Sequence, residues 1–261
     1  MNVRKCSLAV VLLFALAVFL PGSALASGIP LGWTCAGSCG QAGADGVVPT
    51  SPYGSSEYQF VSTFGGSVGV GVVPVPPVQG NETDGSTLAT NVFSANAGDS
   101  LNFYFDYVTS DGSGYPDYAW AELFDSSKTP VALIFTAQTE PAPISIVPGL
   151  SLALPVGTLT PSSVAIQPGT TWSPLGSSSG LCWASGCGNS GWVNASYTIP
   201  TAGSYYLEIG VVNANDQIYD SGLAMDGVIV GGKPITTTPE PGTLALLGTF
   251  LVLAARRRRA S

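Results

Sequence analysis

The sequence predicts an all-β protein: an antiparallel two-sheet sandwich, jelly-roll-like, flanked by an N-terminal signal helix and a short C-terminal transmembrane helix. Three observations predict it. Leu101, Phe103, Phe105 and Tyr107 alternate with Asn102, Tyr104 and Asp106, the period of a strand buried on one face. Clusters of Gly, Pro, Asn and Asp cut the chain into short segments. Between the two terminal segments no helical period is sustained, and the composition favours strands and turns.

The elements follow in order. Arg4 and Lys5, the apolar run from Leu8 to Leu20 and the small-x-small site Ala24-Leu25-Ala26 form a secretory signal over residues 1–26. The alternative, an uncleaved anchor helix, is disfavoured by the short run and by the break at Pro21-Gly22. The body, residues 27–235, is then a single extracytoplasmic domain, exported by the Sec machinery and trimmed by signal peptidase. Residues 28–56 are rich in Gly, Ser and Pro. YQFVSTF (58–64) and SVGVGVV (67–73) read as a hairpin about Gly65-Gly66, and VPVPPVQGNETDGS reads as a loop, since its prolines exclude a central strand. The strand 101–107 is followed by the turn DGSGYPD, the returning strand YAWAELF, and VALIFTA (131–137), whose near-continuous apolar run implies burial on both faces.

Residues 141–180 hold seven prolines and read as a long irregular excursion with one or two short strands around SLAL and SVAI. WVNASYTI (192–199), SYYLEIGVV (204–212) and LAMDGVIV (223–230) complete the set, with Tyr205, Leu207, Ile209 and Val211 on one face.

Charge and cysteine content bound the function. Residues 27–238 carry fifteen of the sixteen acids but only Lys128 and Lys233 among the eight basic residues, a net charge of −13. Such a surface repels nucleic acid and anionic membranes and suits cations or neutral ligands; the plainer reading is that it keeps an exported protein soluble. Cys6 leaves with the signal. Cys35, Cys39, Cys182 and Cys187 remain, an even number in an oxidising compartment, and three connectivities are open. Local bonds, Cys35 with Cys39 and Cys182 with Cys187, are favoured over a four-cysteine zinc site, whose usual two-residue gaps are missing.

There is no histidine, and no arginine between Arg4 and Arg256. This removes Ser-His-Asp and Cys-His nucleophiles, histidine metal sites and arginine phosphate clamps. GGSVGVG lacks the Lys-Ser/Thr partner and the helix of a phosphate loop. Carboxylates remain. Asp106, Asp111 and Asp117 form one acidic stretch, and Asn213, Asn215, Asp216, Asp220 and Asp226 another. Such oxygens are what calcium requires, with Asp216, Asp220 and Asp226 as candidate ligands. Neither stretch has EF-hand spacing, and the same residues serve as turn formers. No other cofactor is expected. A glycoside hydrolase needs only two acids, available among Glu57, Glu82, Asp106, Asp117, Glu122 and Glu208, although strand alternation turns Glu122 and Glu208 toward water. Trp183 and Trp192 bracket the Cys182–Cys187 loop and are candidate glycan contacts, whereas Trp120 belongs to the core.

The chain finishes with Pro239, Glu240 and Pro241, thirteen uncharged residues from Thr243 to Ala255, and Arg256, Arg257, Arg258 and Arg259. As a helix the apolar stretch spans about 20 Å, short of the ~30 Å hydrocarbon layer. The prolines stop it extending upstream, and the arginines hold its end on the cytoplasmic side. Over residues 239–261 these features, in this order, resemble the PEP-CTERM sorting signal of Gram-negative exoproteins. The resemblance implies an exosortase as partner, with Pro239, Glu240 and Pro241 as its recognition residues. It also implies transient inner-membrane anchoring followed by attachment or release at the outer surface or the biofilm matrix. FSANAGDSLNFYF and TAGSYYLEIGV resemble strands of carbohydrate-binding jelly rolls. FVSTFGG, FDYVTSDGSGYPDYAWAELF, SGLCWASGCGNSGW and DSGLAMDGV are similar to a PEP-CTERM exoprotein family of unknown function. The expectation is a surface or matrix protein with a structural or adhesive role, polysaccharide as its candidate ligand and no catalytic residue. The alternative is a carboxylate-dependent glycoside hydrolase acting on extracellular polysaccharide.

Overall fold

The computed structural model describes residues 28–74, 80–139, 145–149 and 152–235. The signal segment and the sorting tail lie outside the described residues. Two antiparallel sheets form a sandwich. Sheet one runs β1 (Thr34–Ala36), β5 (Glu82–Ala89), β15 (Gly203–Ala214), β8 (Tyr118–Asp125), β9 (Pro130–Gln138), with β4 (Ser67–Val68) on β5 and β6 (Phe93–Ala95) on β15. Sheet two runs β11 (Thr158–Thr160), β14 (Val193–Thr198), β7 (Ser100–Thr109), β16 (Ser221–Val230), β3 (Tyr58–Ser62), β2 (Ser38–Ala42), with β13 (Gly188–Asn189) on β7 and β17 (Lys233–Pro234) on β16. β10 (Ser145–Val147) pairs with β12 (Val164–Ala165), and a short 3-10 segment covers Ser173–Ser178. Among the described residues no helix is long and apolar enough to cross a membrane.

Period two builds the core. Leu101, Phe103, Phe105 and Tyr107 of β7 face Tyr205, Leu207, Ile209 and Val211 of β15 in one buried cluster, joined by Leu123, Phe135, Leu223 and Met225. The rings of Phe105 and Phe135 stack with centroids 3.6 Å apart, tying β7 of one sheet to β9 of the other.

The outer faces are covered too. Over sheet one, Val73 and Leu152 pack on Tyr118, Trp120, Phe124 and Leu133; over sheet two, Val48, Trp172 and Leu175 pack on Tyr58, Val108 and Ala224. Close backbone approach there needs glycine. A Cβ on Gly210 would lie 2.5 Å from the Trp120 indole, and one on Gly85 would lie 2.1 Å from the Val211 carbonyl oxygen.

Four expectations are corrected. The 58–64/67–73 hairpin does not form: β3 pairs with β2 and β16, while β4 pairs with β5 in the other sheet. Gly65-Gly66 carries the chain between sheets, and Gly69 and Gly71 adopt φ of 75° and 86°, which end the extended run so that the Gly71 carbonyl can accept the Trp120 Nε1–H at 2.6 Å. The polar stretch ETDGS, read as loop, opens β5, a strand held between β1 and β15 by ladder pairing more than by its own side chains. Residues 110–117 do not make a hairpin either, since β7 and β8 belong to different sheets. Finally, Glu122 does not face water: the outer cover leaves it 1% exposed. SLAL stays irregular over its described residues 152–154, whereas SVAI does contribute β12.

Two substitutions check the packing. Phe135→Ala, which removes the ring stacked on Phe105, is expected to cost about 3–5 kcal/mol in urea unfolding. Gly210→Ala, which forces the Trp120 indole outward, is expected to cost about 1–3 kcal/mol.

Candidate functional site

β3, β7 and β15 end, and β8 and β16 begin, at the same end of the sandwich, as their registers require. Their connections, residues 63–66, 110–117 and 215–220, meet the 181–187 loop there and form one pole. Cys182 and Cys187 are bonded, as are Cys35 and Cys39, the local pairing the spacing favours. The 181–187 loop is also fastened to its neighbour: Trp183 N–H donates to Ser110 O at 3.0 Å and Ser113 N–H to Ser185 O at 2.7 Å. Ala184 packs where Gly112 lacks a side chain.

On this base Trp183 is 54% exposed. Its ring lies 5.1 Å, centroid to centroid, from that of Tyr219, tilted by 44°. Tyr219 has φ 60° and Asn215 φ 76°. A bulky side chain in the left-handed region is strained, and such strain gathers at functional sites. Phe64, Leu181 and Ile218 are also exposed at this pole. A cleft of about 430 Å³ opens against the same loop, lined by Thr170, Thr171, Gly180, Ala184 and Ser185 among others.

The same pole holds a network of acids and hydroxyls. Asp117 is buried; its Oδ1 accepts the Ala214 N–H at 2.8 Å and its Oδ2 lies 2.7 Å from Ser221 Oγ, which in turn is 2.8 Å from Thr109 Oγ1. Asp220 takes Thr63 Oγ1–H at 3.0 Å and Ser178 Oγ–H at 2.7 Å. Asp111 Oδ1 accepts the Gly112 N–H at 2.7 Å, while its Oδ2 is buried with no hydrogen-bond partner. Burial pushes the Asp111 carboxyl up to about 7, with the Asp216 charge adding to it. Burial, then the nearby Asp111, holds Asp117 well above the ordinary carboxylate range. On sheet two, burial lifts Asp106 to about 8, against a hydrogen bond from Ser190.

The other sequence candidates fall elsewhere. Trp192 does not join Trp183; its Nε1–H donates to Pro49 O at 2.9 Å and its ring meets Tyr58 edge-on at 5.6 Å. The calcium candidates do not converge. Asp216 Oδ1 accepts the Ile218 N–H, Asp220 is taken by Thr63 and Ser178, and Asp226 by Ser51. β16 carries Asp226 about 20 Å beyond Asp220, six residues at strand rise. Among the described residues no group of three or more His, Cys, Asp or Glu side chains is placed to hold a metal ion.

Glu122 and Glu208 stand directly opposite one another on β8 and β15. Burial, then the Glu208 charge, raises Glu122 to about 7, and burial raises Glu208. Glu57 and Glu82 lie apart from this pair, bound by Gln41 and Tyr118. Tyr219 was not singled out from the sequence. Its signal is the presence of two large apolar residues, Ile218 and Tyr219, inside an otherwise polar connection that has no strand to bury them. The sorting-motif residues Pro239, Glu240 and Pro241 and the four terminal arginines lie outside the described residues.

Residues 237–259 match the model of the PEP-CTERM protein-sorting motif. No curated protein matches the chain. Among solved structures the chain is similar, at 9% identity and a TM-score of 0.35, to TmCBM61 in complex with beta-1,4-galactotriose, over 80% of this chain and 93% of that one. It is similar to the K1 cleaved adhesin domain of Lys-gingipain from Porphyromonas gingivalis W83 at 13% identity, TM-score 0.36, over 78% and 93%. A CBM4 structure matches at 10% identity, TM-score 0.31, over 76% and 93%.

The buried acids set a pH dependence. A carboxyl whose folded pKa is raised binds a proton that the unfolded chain has released, so its stabilisation is complete below the ordinary value of 3.8 and is lost as pH rises toward about 7 for Asp111 and about 8 for Asp106. The melting temperature is therefore expected to fall between about pH 4 and pH 8 in a calorimetric series. Asp106→Asn is expected to leave stability near wild type at about pH 5 and to raise it at about pH 8. A melting temperature that climbs across this window would contradict the assignment.

Proposed function

We propose, from the premise that the chain carries a PEP-CTERM protein-sorting motif, that it is an exosortase-sorted surface protein whose body binds polysaccharide in a structural or adhesive role. The observation that carries the binding reading is the Trp183–Tyr219 pair: an exposed indole on a disulfide-closed loop held by backbone hydrogen bonds, beside the half-buried ring of Tyr219, whose backbone has positive φ in the neighbouring 215–220 connection. Exposed aromatic faces stack on the apolar faces of sugar rings, and a loop that is already ordered loses little entropy on binding.

Placement supports it. β16 starts at the loop pole and runs to Val230 at the other end, where β17 pairs with it and the described chain stops at Ile235. The sorting motif at 237–259 therefore follows from the pole about 30 Å away from the rings, nine residues of strand rise. A chain held at its C-terminal side presents Trp183 and Tyr219 outward.

A second reading has one specific observation in its favour, the Glu122–Glu208 pair. Side chains directly opposite on antiparallel strands have Cβ atoms about 4.5–5.5 Å apart, compatible with the roughly 5–5.5 Å between the carboxyls of retaining glycosidases. Burial of Glu122 weighs against it, because a catalytic acid must reach the glycosidic oxygen.

Binding of the full chain to polysaccharides of a glycan array, with product analysis, tests both. Retention without new reducing ends, abolished by Trp183→Ala at an unchanged melting temperature, is the expected result. Release of reducing ends that Glu208→Gln abolishes would establish the hydrolase instead. The tyrosine has its own check. Tyr219→Ala and Tyr219→Gly both lose the ring and binding, but only alanine keeps the cost of positive φ, so the glycine variant is expected to be more stable by about 1 kcal/mol in urea unfolding.

A further inference from the structure

The loop pole carries carboxylates and aromatic faces but no cationic side chain in its connections. Asp111 Oδ2 and Asn213 Oδ1 are both buried there without a hydrogen-bond partner, in residues each 1% exposed. Asp216 lies three residues before Tyr219, its Oδ1 engaged by the Ile218 N–H, and its charge is felt by both Asp111 and Asp117. Glu82 and Asp84 open β5 at the same end. The two described lysines are at the other end: Lys128 in the β8–β9 turn and Lys233 on β17 beside Val230. No lysine or arginine lies in the 63–66, 110–117, 181–187 or 215–220 connections.

From this partition we infer that the Trp183–Tyr219 shelf selects saccharides bearing protonated amines, glucosamine-type polymers, over neutral and acidic ones. The inference rests on the glycan-binding reading and adds the substrate class. An ammonium group brings a positive charge, three donors and no acceptor to a pole whose connections carry carboxylates and no cationic side chain. Over the face of tryptophan or tyrosine it is attracted by the ring quadrupole, and Asp216 supplies a carboxylate in the same 215–220 connection as Tyr219. A uronate or sulfated sugar would meet the same carboxylates with no cation to offset them.

The test uses the full chain and three oligosaccharides of equal length, titrated calorimetrically at about pH 5.5: a deacetylated glucosamine oligomer, its N-acetylated counterpart and a uronate oligomer. The deacetylated oligomer is expected to bind about tenfold more tightly than the N-acetylated one. The preference should shrink when salt is raised from roughly 50 to 500 mM and should fall about threefold in Asp216→Asn. Glu57→Gln, at the far pole, should leave it unchanged. Trp183→Ala keeps the net charge and should lose binding of both oligomers, which separates the shelf from unspecific attraction to an acidic protein. Equal affinity for the neutral and cationic oligomers, or a preference for the uronate, overturns the charge selection while leaving the glycan-binding reading in place. No binding of any oligomer, or binding that survives Trp183→Ala, overturns that reading and the inference with it.

Discussion

Residues 27–238 set two lysines against fifteen acids, so the carboxylates that this sandwich buries are met by hydroxyls and backbone N–H groups. Asp117 lies between Ser221 and Ala214, Asp220 between Thr63 and Ser178, and Asp106 against Ser190. A buried anion without a cation costs several kcal/mol, and burial accordingly raises all three toward the protonated form. Asp117 joins the start of β8 to the end of β15 and the start of β16, and Asp220 joins the start of β16 to the end of β3 and the 3-10 segment. The Asp117 contacts cross between the two sheets at the loop pole, and the Asp220 contacts fasten the 3-10 segment to sheet two. The order of that pole follows from the same scarcity of cations that leaves its surface negative.

The elements legible in the sequence were those whose own side chains decide their place. β7 and β15 alternate, and β9 is apolar over most of its length; each formed where its pattern put it. β5 was not legible, because Gly85 lies tight under the Val211 carbonyl and the strand is specified by what its neighbours require. The 58–73 hairpin failed for a related reason. A diglycine between two apolar runs is a turn signal, but β3 finds its partner in Leu223 and Met225, some 160 residues later, and local pattern carries no such information. Alternation also misplaced Glu122 and Asp106: it states which side of a strand a residue occupies, not whether another segment covers that side.

The site was half legible. Trp183 stood out because a disulfide loop offers little to bury an indole, and it is exposed; Trp192, next to the same loop, found Tyr58 and Pro49 instead. Asp216, Asp220 and Asp226 are close in sequence, but a strand begins between the second and the third, and proximity along a strand grows into distance at more than 3 Å per residue. Tyr219 depends on a backbone conformation that composition does not announce.

The two features that invite a functional reading are spatially independent. Glu208 lies six residues along β15 from Ala214, where the strand reaches the loop pole, a separation of about 20 Å. Glu122, its partner across the ladder, is equally distant and is covered on the outer face of sheet one. A sugar stacked on Trp183 and Tyr219 therefore cannot place its own glycosidic bond between the two carboxyls. The acid pair, in which burial raises both carboxyls, contributes to the pH dependence of the fold and stands apart from the rings. The strained conformation of Tyr219 follows the same division: the polypeptide sustains a cost at the loop pole, while the other end, near the last described residue, closes in ordinary strand pairing between β16 and β17.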